Sequence, residues 1–286
     1  MSYKIITDSC CDFPAEMYQE LNLEVVNLSV LYKGANYSEY TEQWLKDLFD
    51  GLRKGEKAST TAVNPTGWAG VIEPVLQAGE DALVLTFSSG LSTTYQSAVI
   101  AAEELQEKYP NRKIRVVDTL CASLGQGLLV YYACQKRDEG LTLDELTNWV
   151  ENNKMSLCHW VSADDLMYLK RGGRVSAATA VAGTLLQIKP IIHVDDEGKL
   201  ISVGKARGRK AAIKTLCDKV GELGIEGAND TIFICHGDCI DDAKTLEAML
   251  KEKYGTKKVF IYYIGAVIGS HAGPGTMAVF FLGNKR

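Results

Sequence analysis

A chain of 286 residues, 46% hydrophobic and 23% charged, has room for one large α/β domain or two smaller ones and can bury a substantial core. A formal net charge of −5 and a pI near 5.5 leave no basic field for non-specific nucleic-acid binding. The longest apolar stretches, such as Val259 to Ile268, fall short of the ~20 residues a bilayer span requires.

The first residues, Lys4-Ile5-Ile6-Thr7-Asp8, read as a strand over Tyr3 to Thr7 and not as a signal peptide, which makes a soluble, cytoplasmic protein the expectation. Leu23 to Leu31 reads as further strand. Ala82 to Phe87 is a near-continuous apolar run of the kind buried on both faces of a parallel sheet. A helix follows from Ser92, with small and apolar residues at Ala98, Ala101, Ala102 and Leu105, and ends before Pro110. Lys113 to Val117 is the next strand, and a Leu- and Ala-rich helix runs from Leu124 to Cys134. This βαβ rhythm predicts a parallel sheet with ligands at the carboxyl ends of its strands, where Asp8, Ser88, Ser89 and Asp118 fall.

A second series begins with a strand at Cys158 to Val161 and a short helix at Ala163 to Leu169. The basic turn Lys170-Arg171-Gly172-Gly173-Arg174 and a strand at Lys189 to Val194 follow. Asp195-Asp196-Glu197-Gly198 reads as a tight hairpin into Lys199 to Val203, so this half is partly antiparallel. A helix (Arg209 to Leu223), a strand (Thr231 to His236), a helix (Asp241 to Lys253) and a strand (Lys258 to Tyr263) complete it. The expected class is therefore two-domain α/β, an N-terminal parallel-sheet domain over 1–155 and a C-terminal mixed domain over 156–286. No linker of Gly, Ser or Pro marks the division, so the halves should pack tightly around a cleft.

Two hydroxyl-rich segments carry the chemistry, Ser59-Thr60-Thr61-Ala62-Val63-Asn64-Pro65 and Ser88-Ser89-Gly90-Leu91-Ser92-Thr93-Thr94-Tyr95. The second joins a strand to a helix, where unpaired backbone N–H groups and the helix dipole favour an oxyanion; Ser and Thr are equally ordinary helix caps. His271, before Ala272-Gly273-Pro274-Gly275, is the histidine best placed to assist, while His159, His193 and His236 sit in strand-like runs and read as structural. The eight cysteines are scattered without a Cys-x-x-Cys pair, and Cys235, His236 and Cys239 lack the second pair of a zinc ribbon, so no metal is expected. Phosphate-binding loops are missing as well. A serine hydrolase or acyltransferase with Ser89 or Ser92 as nucleophile remains an alternative, as does a sensor that binds a polar head group alone.

Taken together, Thr7-Asp8-Ser9, Thr60-Thr61 before Pro65, and Ser88-Ser89-Gly90-Leu91-Ser92-x-x-Tyr95-x-Ser97-Ala98 resemble the DegV family. Leu169-x-Arg171-x-Gly173-Arg174-Val175-Ser176, Gly183-Thr184-Leu185-Leu186-x-Ile188-Lys189-Pro190 and His271-x-Gly273-x-Gly275 extend the resemblance, in order, to the C-terminal end. The resemblance implies a non-catalytic carrier that holds one long-chain fatty acid and presents it to a separate fatty-acid kinase, with no cofactor of its own and at most transient membrane contact. It places the carboxylate on Thr60, Thr61, Ser89 or Ser92 with His271, and kinase engagement on Arg207. Two departures stand out: Thr60-Thr61-Ala62-Val63 replaces the family's usual Thr-Ser-Gln-Pro, and Ser9-Cys10-Cys11 replaces a Thr- and Ser-rich loop.

The assignment is physically coherent. A buried carboxylate needs donors, and hydroxyls supply them; with no buried Arg or Lys expected beside it, the acid stays easy to release. At ~0.8 kcal/mol per CH₂, about fourteen buried methylenes contribute on the order of 11 kcal/mol before entropic costs. Val181 to Ile192, Val259 to Ile268 and Phe280-Phe281-Leu282 are the expected tunnel wall.

Overall fold

The structure is a computed structural model that describes residues 2–175 and 187–286. The motif Gly183 to Leu186, Ser176, and the first part of the Val181 to Ile192 wall lie outside the described residues. In chain order the first half contains β1 (Tyr3–Asp8), α1 (Ala15–Glu20), β2 (Leu23–Val26), β3 (Ser29–Tyr32), β4 (Ala35–Tyr37), α2 (Glu42–Arg53) and β5 (Ala58–Thr61). It continues with α3 (Pro65–Gln77), β6 (Asp81–Thr86), α4 (Thr94–Lys108), β7 (Ile114–Asp118), α5 (Leu124–Asp138) and α6 (Leu143–Asn153). The second half contains β8 (Leu157–Ser162), α7 (Leu166–Arg171), β9 (Ile188–Val194), β10 (Leu200–Arg207), α8 (Arg209–Leu223), β11 (Thr231–His236), α9 (Ile240–Tyr254), β12 (Lys258–Tyr263), α10 (Ala266–Ala272) and β13 (Met277–Leu282).

β6 is buried along its whole length because it lies inside a four-stranded parallel sheet of order β2-β1-β6-β7, with neighbours on both edges and helices across its faces. From β1 the connections run outward to β2 on one side, and from β6 to β7 on the other. The switch point therefore falls between β1 and β6. There the buried Asp8 carboxylate accepts from Phe87 N at 2.6 Å and Cys10 N at 3.0 Å, tying the loops after both strands together.

The run Leu23 to Leu31 is not one strand. It breaks at Asn27-Leu28 into β2, in the parallel sheet, and β3, which joins β4 and β5 in a separate antiparallel sheet of order β4-β3-β5. This small sheet carries Thr60, opposite Val30. α2, capped by Thr41, and α3, capped by Asn64 with Pro65 in its first turn, flank β5 in sequence.

The second half builds a six-stranded mixed sheet of order β10-β9-β8-β13-β11-β12, in which β11–β12 is the parallel pair. One hydrophobic core runs from the parallel sheet into this one, joining Leu83, Leu85 and Leu128 to Phe233, Ala278 and Phe280. Alternation along β13 sends Phe280 to that shared core and Phe281 to the opposite face, onto α8 and α9 residues such as Leu216 and Leu246.

Candidate functional site

A cavity of about 380 Å³ opens where the two larger sheets and the small sheet meet. Phe87, Val161, Leu169, Ile264, Val267 and Phe280 supply apolar wall, while Thr60, Ser89, Ser92, Arg174 and His271 gather as polar lining. Of the expected tunnel wall, Ile264, Val267, Ile268 and Phe280 line it. Ile191 and Phe281 do not, because they face the second core with Leu216 and Leu246, and Ile192 does not, because it packs in a smaller cluster with Leu166, Leu169 and Val175.

Thr60 is half-buried on β5, and its Oγ1 lies 2.8 Å from His271 Nε2. Thr61, one residue on, takes the other face of the strand and is exposed, outside the cavity lining. His271 does not stand in a loop after a strand: it occupies the last turn of α10, which ends at Gly273 with φ 80°. Burial, reinforced by the Arg174 guanidinium, pushes the His271 imidazole down to about 4, so it is neutral at physiological pH. Gly172 permits this packing, since a Cβ there would sit 2.2 Å from His271 Nδ1.

Ser92 Oγ lies 2.8 Å from Thr94 Oγ1 and accepts from Thr94 N at 3.3 Å, at the start of α4. Ser89 donates its backbone N–H to Asp118 Oδ1 at 3.1 Å. The neighbouring Ser88 hydroxyl donates to Gly198 O at 2.8 Å, which docks the β9–β10 hairpin on this loop. His271 therefore bonds Thr60, not Ser89 or Ser92, and among the described residues no carboxylate bonds its other nitrogen. Among the described residues a serine–histidine–acid triad is not formed.

Where no buried Arg or Lys was expected beside the head group, a half-buried cation stands near the head-group residues. Arg174 is half-buried in the cavity wall, held by Leu91 O at 3.2 Å and Gly172 O at 2.5 Å. The turn through Gly172 and Gly173, the latter at φ 71°, folds it back onto the Ser88–Ser92 loop. Sequence shows the Arg after two glycines but not the direction of that turn.

His159 also lines the cavity. Its Nε2 accepts from Ala122 N at 3.2 Å and its Nδ1 donates to Leu157 O at 2.9 Å, so both nitrogens are used and the ring is a neutral wall element, pushed down to about 3 by burial. Among the described residues no group of three or more His, Cys, Asp or Glu side chains could hold a metal. Cys239 is pushed up to about 11 by burial, and its N–H is given to His236 Nδ1 at 3.2 Å. Arg207 is exposed at the end of edge strand β10 and is not a lining residue.

A largely apolar cavity with a cluster of hydroxyl, imidazole and guanidinium groups, set between a parallel and a mixed sheet, defines an α/β protein with a candidate binding site. Residues 2–284 match the family described as "Uncharacterised protein, DegV family". The chain belongs to the DegV family. It is 45% identical to the DegV domain-containing protein CPE0026 of Clostridium perfringens, over 99% of this chain and 98% of that one. Among solved structures it is similar to a fatty-acid-binding DegV family protein from Thermus thermophilus (TM-score 0.88, 31% identity, 99% of this chain and 100% of the other). The fold is also that of the Streptococcus pneumoniae fatty acid kinase B3 protein loaded with linoleic acid (TM-score 0.86, 20% identity, 99% and 100% covered).

Proposed function

We propose that this chain binds one long-chain fatty acid in the cavity, with the carboxylate at the Thr60–His271–Arg174 end and the alkyl chain along the apolar wall, and acts as a carrier without catalysis of its own. The observation that carries the reading is the convergence of these three side chains with Ser89 and Ser92 on a cavity whose wall is largely apolar.

The direction of the donors follows from the chemistry. A carboxylate accepts, so Thr60 must donate to it, and its oxygen must then receive from His271 Nε2–H. The neutral Nε2–H tautomer is the one this requires. In the same way Thr94 Oγ1–H donating to Ser92 leaves the Ser92 hydroxyl free to donate. Arg174 adds the charge, which strengthens each bond to the carboxylate. Thr60 is thus the favoured member of the Thr60/Thr61 pair, and Ser92 and Ser89 share the opposite side.

The finer reading is that a separate kinase phosphorylates the presented carboxylate in the cytoplasm, docking through Arg207. The motif resemblance and the exposure of Arg207 on an edge strand support it, and the division 1–155 and 156–286 belongs to the same proposal. Arg207→Ala should lower kinase-dependent acyl phosphate formation at least tenfold while the retained lipid stays the same; loss of lipid would contradict the docking role. The test of the carrier reading is lipid extraction and native mass spectrometry of the purified protein. One acyl chain per protein is expected, and its absence even after incubation with palmitate or oleate would overturn the reading.

A further inference from the structure

Ser123 is a buried hydroxyl in the cavity wall that a hydrocarbon ligand does not explain. It immediately precedes α5 with φ 54° and ψ −147°, close to a backbone region that is almost exclusively glycine's, and it is 5% exposed. Its hydroxyl is not used as a helix cap. It donates instead to Asp12 Oδ2 at 2.5 Å, with Cys235 Sγ 3.4 Å away. Asp12 is buried, itself in the left-handed region at φ 55°, and takes a second bond from the Gly265 N–H. Two non-glycine residues in unfavourable backbone conformations thus face each other across one hydrogen bond, and the serine side of that bond lines the cavity.

The surroundings sharpen the point. Ala122, Phe280, Ala278 and Ile264 line the cavity with Ser123; of the other buried polar side chains in the wall, His159 has both nitrogens bonded to backbone and Thr276 Oγ1 donates to Ala272 O at 2.8 Å. An alkyl chain makes no use of a hydroxyl in this position. With Asp12 ionised the Ser123 proton goes to it and the serine oxygen keeps an acceptor lone pair; burial raises the Asp12 carboxyl to about 7, and when protonated it donates to Ser123 and frees that hydroxyl to donate. A ligand hydroxyl, both donor and acceptor, complements either state on an otherwise apolar chain.

We infer that Ser123, aimed by Asp12, is a recognition point for a hydroxyl group carried on the acyl chain, so that hydroxylated long-chain fatty acids are ligands of this protein. The inference rests on the fatty-acid reading above and adds the chemical class of acid. A ligand hydroxyl that donates to Ser123 Oγ recovers the hydrogen bond it leaves in water. Without that acceptor it would enter an apolar wall unpaired, and one neutral bond together with the avoided desolvation corresponds to a factor of about ten or more in Kd.

The experiment compares delipidated protein titrated with stearate and with a series of monohydroxystearates whose hydroxyl moves along the chain. At the position that reaches Ser123, the hydroxy acid should bind at least as tightly as stearate. The ratio of its Kd to that of stearate should rise at least tenfold in Ser123→Ala. Ser123→Gly, which suits the backbone conformation, should change the ratio in the same way, and it serves if the alanine variant does not fold. Every isomer binding more weakly than stearate by an amount the variants leave alone would overturn the inference and leave the carrier reading standing. Failure of stearate itself to bind would remove both.

Discussion

At the position of Thr60 the two faces of one short strand separate two otherwise equal hydroxyls. Thr60 meets His271 across 2.8 Å inside the cavity and Thr61 faces solvent. Thr60→Val keeps the shape and removes the donor, so fatty-acid affinity should fall about tenfold to a hundredfold, the worth of a hydrogen bond to a charged group. Thr61→Val should fall within twofold of the parent. Titration of delipidated protein checks both, and equal losses would place the carboxylate elsewhere. His271 supplies a second test at this scale. Its pKa is near 4 when folded against an ordinary 6.5, so the stability that comes from keeping it neutral is present above pH 6.5 and is lost as pH falls through 4. That loss amounts to about 3 kcal/mol. The imidazole resonance of ligand-free protein should titrate near pH 4, and the stability advantage of the parent over His271→Gln should shrink over the same range. An ordinary titration near 6.5 would show a solvated ring.

Among the elements, the hairpin between β9 and β10 decides how closely the second half approaches the Ser88–Ser92 loop. Gly198 sits at φ 73°, and a Cβ on it would lie 2.1 Å from Ser88 Oγ, the group that donates to its carbonyl. Gly198→Ala should therefore cost about 2–4 kcal/mol, from the left-handed backbone and the displaced serine together. Urea unfolding measures it, and a change under 1 kcal/mol would mean that the hairpin is not clamped there. This hairpin is read from sequence because Asp195 to Gly198 is a local turn signal between two apolar runs. β6, at the centre of the parallel sheet, is legible through its burial on both faces. Elements whose signals are short or mixed escape. α10 is seven residues of Ala-Val-Ile-Gly-Ser-His-Ala, too brief to show a helical period and apolar enough to pass as an extension of β12. α3 holds Gly67, Gly70 and Pro74 inside a helix and is carried by its Asn64 cap and the buried Trp68 and Ile72, not by propensity. The break at Asn27-Leu28 is equally silent, since residues on both sides suit a strand and it is the choice of partner that differs. The site follows the same division. Hydroxyls next to strand ends and a histidine before a glycine loop are visible as candidates, but the inward turn of Arg174 and the strained backbone of Ser123 exist only once the halves are packed.

For the molecule as a whole, the consequential fact is that its principal core does not stop at the boundary between its sheets. Leu83 and Leu128 from the first half share that core with Phe233 and Phe280 from the second. Polar ties cross at the same place, from Ser88 to Gly198, from Ala122 to His159 and from Asp12 through Ser123 to Cys235. Separate unfolding of either half would expose the shared apolar surface and break these buried bonds, so the two should melt together. The cavity belongs to both halves, and a ligand in it binds the folded state of both at once. At a free ligand concentration one hundred times Kd the folded state gains about 2.7 kcal/mol, which for a chain of this size raises Tm by about 4–5 °C. Three of the four tryptophans, Trp44, Trp68 and Trp149, lie in the first half and Trp160 in the second, so a Trp160→Phe variant reports on the first half by fluorescence while far-UV circular dichroism reports on both. The two signals should give one midpoint without ligand and one higher midpoint with oleate. Divergent midpoints, with the ligand moving one and not the other, would show that the halves are independently stable and that the acid is gripped by one of them alone.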